Sequence, residues 1–261
     1  MIPTSENPSD FTPQRNHSRT VVGNTLKMKF KKHLKNSWYK YLIEILVVVI
    51  GILIAFNLDN WNSKRQIKTD EIQVLKEINK GLKRLQKEVE INLEDEIDIF
   101  NSCNLIKNNF ENNKGVNDSL KTAFSLTWFY THIQPDYGPY DYLNNYGSSV
   151  ITNTSLRESI LDLYGLDLRA TVNESNIRGQ YIEALKLQMG EWFKTLNSNS
   201  IVNVPTEPWD YNILRNDNHF NFQLNKQLNE SIRWSNELSG LLKHIEEIKS
   251  LVSKEINKLE H

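Results

Sequence analysis

Residues 45–56 read Ile45-Leu46-Val47-Val48-Val49-Ile50-Gly51-Ile52-Leu53-Ile54-Ala55-Phe56, an unbroken apolar run. Leu42, Ile43 and Leu58 extend it, with Glu44 and Asn57 as its polar members. A helix over residues 42–58 would be about 25 Å long at 1.5 Å per residue, close to the ~30 Å hydrocarbon core of a bilayer. Trp38, Tyr39 and Tyr41 precede the run and Trp61 follows it. Such amphipathic rings settle at headgroup level on either side of a span. A soluble core segment has no use for aromatic and basic flanks of this kind. Leu53, Ile54 and Ala55 also lack the small-x-small pattern of a cleaved signal peptide. The stretch predicts a transmembrane helix over residues 41–58, with the lipid bilayer as its first partner.

Charge is arranged around that run. The chain of 261 residues has a formal net charge of −1, yet residues 1–40 carry eight Lys/Arg against two Asp/Glu. Residues 63–261 carry 23 Lys/Arg against 28 Asp/Glu. A basic segment beside a span is attracted to anionic headgroups, so residues 28–40 read as a juxtamembrane segment and no nucleic-acid partner is expected. Lys27, Lys29, Lys31, Lys32, Lys35 and Lys40 outnumber Lys64, Arg65 and Lys68 on the other side. The positive-inside rule then predicts a cytoplasmic amino terminus and an extracytoplasmic domain over residues 63–261. Residues 1–27 are polar and aperiodic, with Pro3, Pro8 and Pro13. They read as disordered, or as an over-extended start with Met28 as the alternative initiator.

Beyond the span the apolar pattern becomes a stripe. Leu75, Ile78, Leu82, Leu85, Val89, Leu93, Ile97 and Phe100 recur at steps of three and four, predicting a helix to about residue 110 that continues from the span. A second stripe runs through Leu224, Leu228, Ile232, Leu238, Leu241, Ile245, Ile248, Val252, Ile256 and Leu259. Two long one-striped helices bury their stripes on each other or on shorter helices between them. The spacing predicts short helices over 120–130, 141–145, 155–168 and 173–196, the last with Ile177, Tyr181, Leu185, Gln188 and Trp192 on one side. Tyr137-Gly138-Pro139 reads as a turn, and residues 197–217, with Pro205 and Pro208, as a long loop. The predicted class is all-α: a transmembrane helix running into a long helix, packed with shorter helices and a long carboxy-terminal helix as a bundle or antiparallel coiled coil. Pairing within the chain is favoured by the intervening helices, and a homo-oligomer stays open. Gly51 and Ala55, four apart, form a small-x-x-x-small face that permits close association of two spans.

Two blocks carry a resemblance. The first runs from Met28-Lys29-Phe30 through Tyr41-Leu42-Ile43-Glu44 and the apolar run to Asn57 and Asn60-Trp61-Asn62. The second includes Tyr140 to Leu143, Ser148-Ser149, Ile151, Asn153 and Ser155-Leu156-Arg157, ending near Tyr164. They resemble an uncharacterised, domain-of-unknown-function family of single-pass membrane proteins of Bacteroidota, with Ile43 and Ser149 standing where that family commonly has glycine. The resemblance implies an inner-membrane location with the domain in the periplasm. It supplies no catalytic residue.

Cys103 is the only cysteine, which excludes an internal disulfide and a cysteine-based metal site and reads as a packed apolar residue. The six histidines are not at metal-ligand spacing, and no G-x-S-x-G, Walker or G-x-G-x-x-G motif occurs. No cofactor is expected. His132 with Asp136 and Asp141 is the nearest thing to a catalytic constellation. An aromatic cluster, Trp128, Phe129, Tyr130, Tyr137, Tyr140, Tyr142 and Tyr146, lies around Pro135 and Pro139. With His132 it marks a candidate binding groove for a peptide, glycan or lipid headgroup, the expected partner being an envelope protein or glycan, against the plainer reading of core and turn-bracing residues. The functional expectation is a non-enzymatic, membrane-anchored module that binds or organises an envelope partner. A sensor signalling through helix association at Gly51 and Ala55 is the alternative, and an envelope enzyme the third.

Overall fold

The computed structural model describes residues 22–194 and 205–261, with backbone alone for residues 22–37. The long elements among the described residues are helices: α1 (Val22–Glu111), α2 (Asp118–Leu126), α3 (Gly138–Tyr146), α4 (Thr154–Asp162), α5 (Leu168–Lys186), α6 (Tyr211–Asn216) and α7 (Asn218–Glu260). An isolated antiparallel bridge joins Phe193 and Pro208. The chain divides into two compact units, Met1–Lys64 and Arg65–His261. In the first, the expected polar amino-terminal segment falls largely on residues 1–21, outside the described residues. From Trp38 on, the side chains of this unit are exposed, including every residue of the apolar run.

The second unit is organised by two heptad seams. Along α1, Leu75, Ile78, Leu82, Leu85, Val89, Asn92, Glu96, Ile99, Cys103, Ile106 and Phe110 are buried, alternating steps of three and four without a break. Along α7 the same alternation runs through Phe220, Leu224, Gln227, Ser231, Trp234, Leu238, Leu241, Ile245, Ile248 and Val252. That is the 3.5-residue repeat with which two helices keep facing each other over many turns. The helices are antiparallel: Lys76 Nζ lies 2.7 Å from Glu260, Gln86 Nε2 3.3 Å from Glu246, and the rings of Phe110 and Phe220 are 5.9 Å apart.

The seams differ from the predicted stripes at particular places. Ile97 is 46% exposed and Ile232 45%, while Glu96, Ser231 and Trp234 are buried. In α5 the inward face is Ser175, Arg178, Gly179, Ile182 and Leu185, with Ile177 turned outward. In each case the apolar pattern alone picks a residue one or two positions off the seam, because polar residues occupy the seam itself, Glu96, Ser175 and Arg178 with hydrogen-bond partners there. Gly138 and Pro139 form the first turn of α3 rather than a separate turn, proline being pre-set for that position. A π turn, Leu163–Asp167, within the helix expected over 155–168, joins α4 to α5, and residues 169–172, expected to separate two helices, lie in α5.

Asparagine and aspartate set the helix starts. Asn117 Oδ1 accepts from Leu120 N, Asn153 Oδ1 from Leu156 N, Asp210 Oδ1 from Ile213 N and Asp217 Oδ1 from Phe220 N, at 2.8–3.2 Å. Asn113, with φ 53°, closes α1 in the left-handed conformation that asparagine tolerates better than most residues. Some of the chain's 32 asparagines therefore have a structural use.

Two cores result. One packs α1 residues 74–89 with Leu143, Ile160, Tyr164 and α7 from Trp234 to Ile256. The other is aromatic and gathers Phe110, Phe124, Trp128, Trp192, Phe193 and Phe220 around Ile99, Cys103 and Ile106. Burial pushes the Cys103 thiol up to about 12, as befits a packed rather than reactive cysteine.

Candidate functional site

A groove of about 400 Å³ lies where α1 meets residues 136–142, within the range common for small-ligand sites. Gln73, Glu77 and Arg84 come from one face of α1, spaced by four and seven residues. Asp136, Gly138, Pro139 and Tyr142 face them. The approach is close because Gly81 has no side chain: a Cβ there would stand 2.4 Å from Pro139 Cγ. Glycine inside a helix is unfavourable by about 1 kcal/mol relative to alanine, so this contact is maintained against local propensity.

Polar groups in the groove hold one another in place. Asp136 Oδ2 accepts from Arg84 at 2.6 Å and its Oδ1 from the Gly138 amide at 2.8 Å. The amide, then the guanidinium, holds the Asp136 carboxyl below the usual carboxylate range. Gln73 Nε2 donates to Tyr142 Oη at 2.8 Å, and Lys80 pairs with Glu77 at 2.7 Å. Tyr142 and Tyr146 form an aromatic pair with centroids 5.1 Å apart. Beneath, the buried hydroxyl of Tyr164 has no hydrogen-bond partner and lies 3.1 Å from the position a Gly81 Cβ would take. Burial, and then Asp136, push that phenol up to about 12.

A second constellation is internal. Glu96, fully buried, receives Arg178 Nη2 at 2.8 Å and Thr131 Oγ1 at 3.1 Å. Trp234 Nε1 donates to Thr131 Oγ1 at 2.7 Å, and the Arg178 guanidinium lies 5.0 Å from the Trp234 ring centroid. Ser175 Oγ donates to the Thr131 carbonyl, and His132 Nδ1 meets Ser175 Oγ at 3.2 Å. This layer crosses α1, α5, α7 and the segment after α2, between the two cores. Its groups satisfy one another, which fits a packing role.

A broader groove of about 510 Å³, between the π turn with α5 and α7, carries Asp167, Glu174, Glu237 and His244. His244 Nδ1 is 2.9 Å from Asp167, and Arg233 binds Glu174, Glu230 and Glu237. Among the described residues no group of three or more His, Cys, Asp or Glu could hold a metal ion.

The aromatic residues read as one groove occupy separate places. Trp128 is buried in the second core, 6.5 Å from Trp192 and edge-on to Phe220, with Nε1 unpartnered. Tyr130 covers Gly179, where a Cβ would meet its ring at 2.6 Å. Tyr137 and Tyr140 brace Tyr164, Tyr140 stacking on it at 5.4 Å, and Tyr142 alone of the set lines the α1 groove. His132 is bonded to Ser175 and Asp136 to Arg84, and Asp141 is exposed. Trp38, Tyr39, Tyr41 and Trp61 are exposed in the first unit. So are Gly51 and Ala55, with open space around Gly51. Gln73, Glu77, Arg84, Glu96 and Arg178 escaped the sequence reading. A charged residue at a heptad seam position, as at Glu96, was the available signal for the internal layer. No family model, curated protein or solved structure matches the chain.

Proposed function

We propose that this chain is a single-pass inner-membrane protein whose second, periplasmic unit is a non-enzymatic helical module that binds an envelope partner. The observation that carries the reading is the apolar run itself. It is helical, long enough to cross a bilayer, and has no side chain buried against protein. Seventeen largely apolar residues left in water would forgo about 1.5–3 kcal/mol for each large aliphatic side chain, a cost that lipid removes. The aromatic residues Trp38, Tyr39, Tyr41 and Trp61 at its ends suit the headgroup region. The excess of lysine before the run supports a cytoplasmic amino terminus. A binding role is supported by the polar groove at Arg84, Asp136 and Tyr142, where α1 meets residues 136–142.

Detergent-free lysate, separated by ultracentrifugation and washed with alkaline carbonate, tests the anchor. The chain is expected in the pellet, and a soluble chain overturns the reading. Protease added to spheroplasts should digest residues 65–261 and spare the amino terminus. The reverse pattern would invert the topology.

A further inference from the structure

We propose that the groove between α1 and α3 binds a neutral, unbranched hexose-based oligosaccharide, with Arg84, Asp136 and Gln73 bonding its hydroxyls and Tyr142 offering a ring face. This deepens the binding role of the preceding subsection and rests on it for location only. The first support is charge. Arg84 is neutralised by Asp136 and Glu77 by Lys80, so the groove offers an ion little net attraction. A zwitterion would have to break the 2.6 Å Arg84–Asp136 pair, whereas a vicinal diol can bridge a guanidinium and a carboxylate that remain paired. The second is the mixture of groups. Forked donors and acceptors, a carboxamide and a half-exposed aromatic pair recognise a ligand that is both donor and acceptor on its edges and apolar on its faces. The third is shape. From Gln73 to Arg84 the helix rises about 16 Å, which suits an extended chain of rings better than a single compact metabolite.

A further observation lies in the floor. Tyr164 is 1% exposed, its hydroxyl has no protein hydrogen-bond partner, and it lies 3.1 Å from where a Cβ on Gly81 would stand, the same position that Pro139 of the groove lining approaches. A buried hydroxyl without a hydrogen bond is costly in a packed protein, so such groups call for an explanation.

The test uses the full chain in lipid nanodiscs prepared without sugar-based detergent. Maltotetraose, cellotetraose and the neutral, fully N-acetylated chitotetraose are titrated by calorimetry and by chemical-shift changes of labelled tyrosine. At least one is expected to bind saturably and to perturb Tyr142. Asp136→Ala, Arg84→Ala and Tyr142→Ala should each weaken it by about tenfold or more, the effect of losing one well-made contact to a charged group or ring. Glu237→Gln, in the other groove, should leave affinity unchanged, and circular dichroism should show every variant as helical as the parent. The proposal is overturned if none of the three sugars binds the folded parent, or if binding survives all three groove substitutions. It is also overturned if glycylglycine competes for the groove. A chain that fails to enter the nanodiscs breaks the anchoring reading, while titration of that soluble chain still decides the groove.

Discussion

Two stretches of α1 put similar aliphatic residues to opposite uses. Residues 42–58 present apolar side chains all round the helix and bury none of them. Residues 75–110 present them along one seam, and there Leu75, Ile78, Leu82 and Val89 are wholly buried. Angular distribution accounts for the difference. A complete apolar surface has no single partner to face and asks for an apolar solvent, whereas a narrow seam asks for one other helix. The second stretch also tolerates a fully buried charge at the seam, Glu96, because Arg178 and Thr131 from other elements supply its bonds. In the first, Asn57 Nδ2 turns back to the Leu53 carbonyl at 2.8 Å, satisfying itself within the helix.

Substitutions can break this contrast. The largest effect is expected at Glu96. Glu96→Ala leaves Arg178 buried without its counter-ion and should cost about 3–5 kcal/mol, read as a loss of urea resistance by circular dichroism. Glu96→Leu combined with Arg178→Met should restore most of that loss. If the double variant were as unstable as the single one, the layer would be more than a satisfied ion pair. Next, Leu82→Ala should cost about 2–5 kcal/mol, while Leu53→Ala should leave the unfolding of the second unit unchanged.

Glycines sharpen the comparison at smaller scale. Gly179→Ala drives a methyl group to 2.6 Å from the Tyr130 ring and should destabilise by about 1–3 kcal/mol despite alanine's better helix propensity. Gly51→Ala meets open space and should not destabilise the helix. The smallest measurable loss is at the start of α7, where Asp217→Ala should cost about 1 kcal/mol. The Phe220 amide, ahead of the other causes, holds the Asp217 carboxyl below its ordinary value. Its contribution is therefore present above the unfolded carboxylate range and disappears as pH falls through the lower, folded value. The parent and the variant should converge in stability under strongly acidic conditions. A difference that persisted there would show that the aspartate acts other than as an ionised cap.

Much of the fold was legible because long helices write their partners into periodicity. Leu75 to Val89 and Leu238 to Val252 state the seam directly, and the apolar run announces a helix with nothing polar to contact. The candidate site was far less legible. Of the aromatic residues between 128 and 146, only the fold could send Trp128 to a core, Tyr140 to Tyr164 and Tyr142 to the groove, since their spacing is compatible with each place. Gln73, Glu77 and Arg84 look like ordinary solvent-facing residues of a charged helix until residues 136–142 are laid across Gly81.

By itself, then, the sequence determined the helical class, the two long striped helices and the run with no stripe at all. These follow from local geometry, 3.6 residues per turn and the aversion of apolar groups for water. Tertiary structure alone decided that the seam passes through Glu96 rather than Ile97, and that Trp234 is buried while Ile232 is not. The reason is that burial of a polar residue depends on partners such as Arg178 and Thr131, more than 30 residues away along the chain, and hydropathy patterns carry no information about which partners arrive.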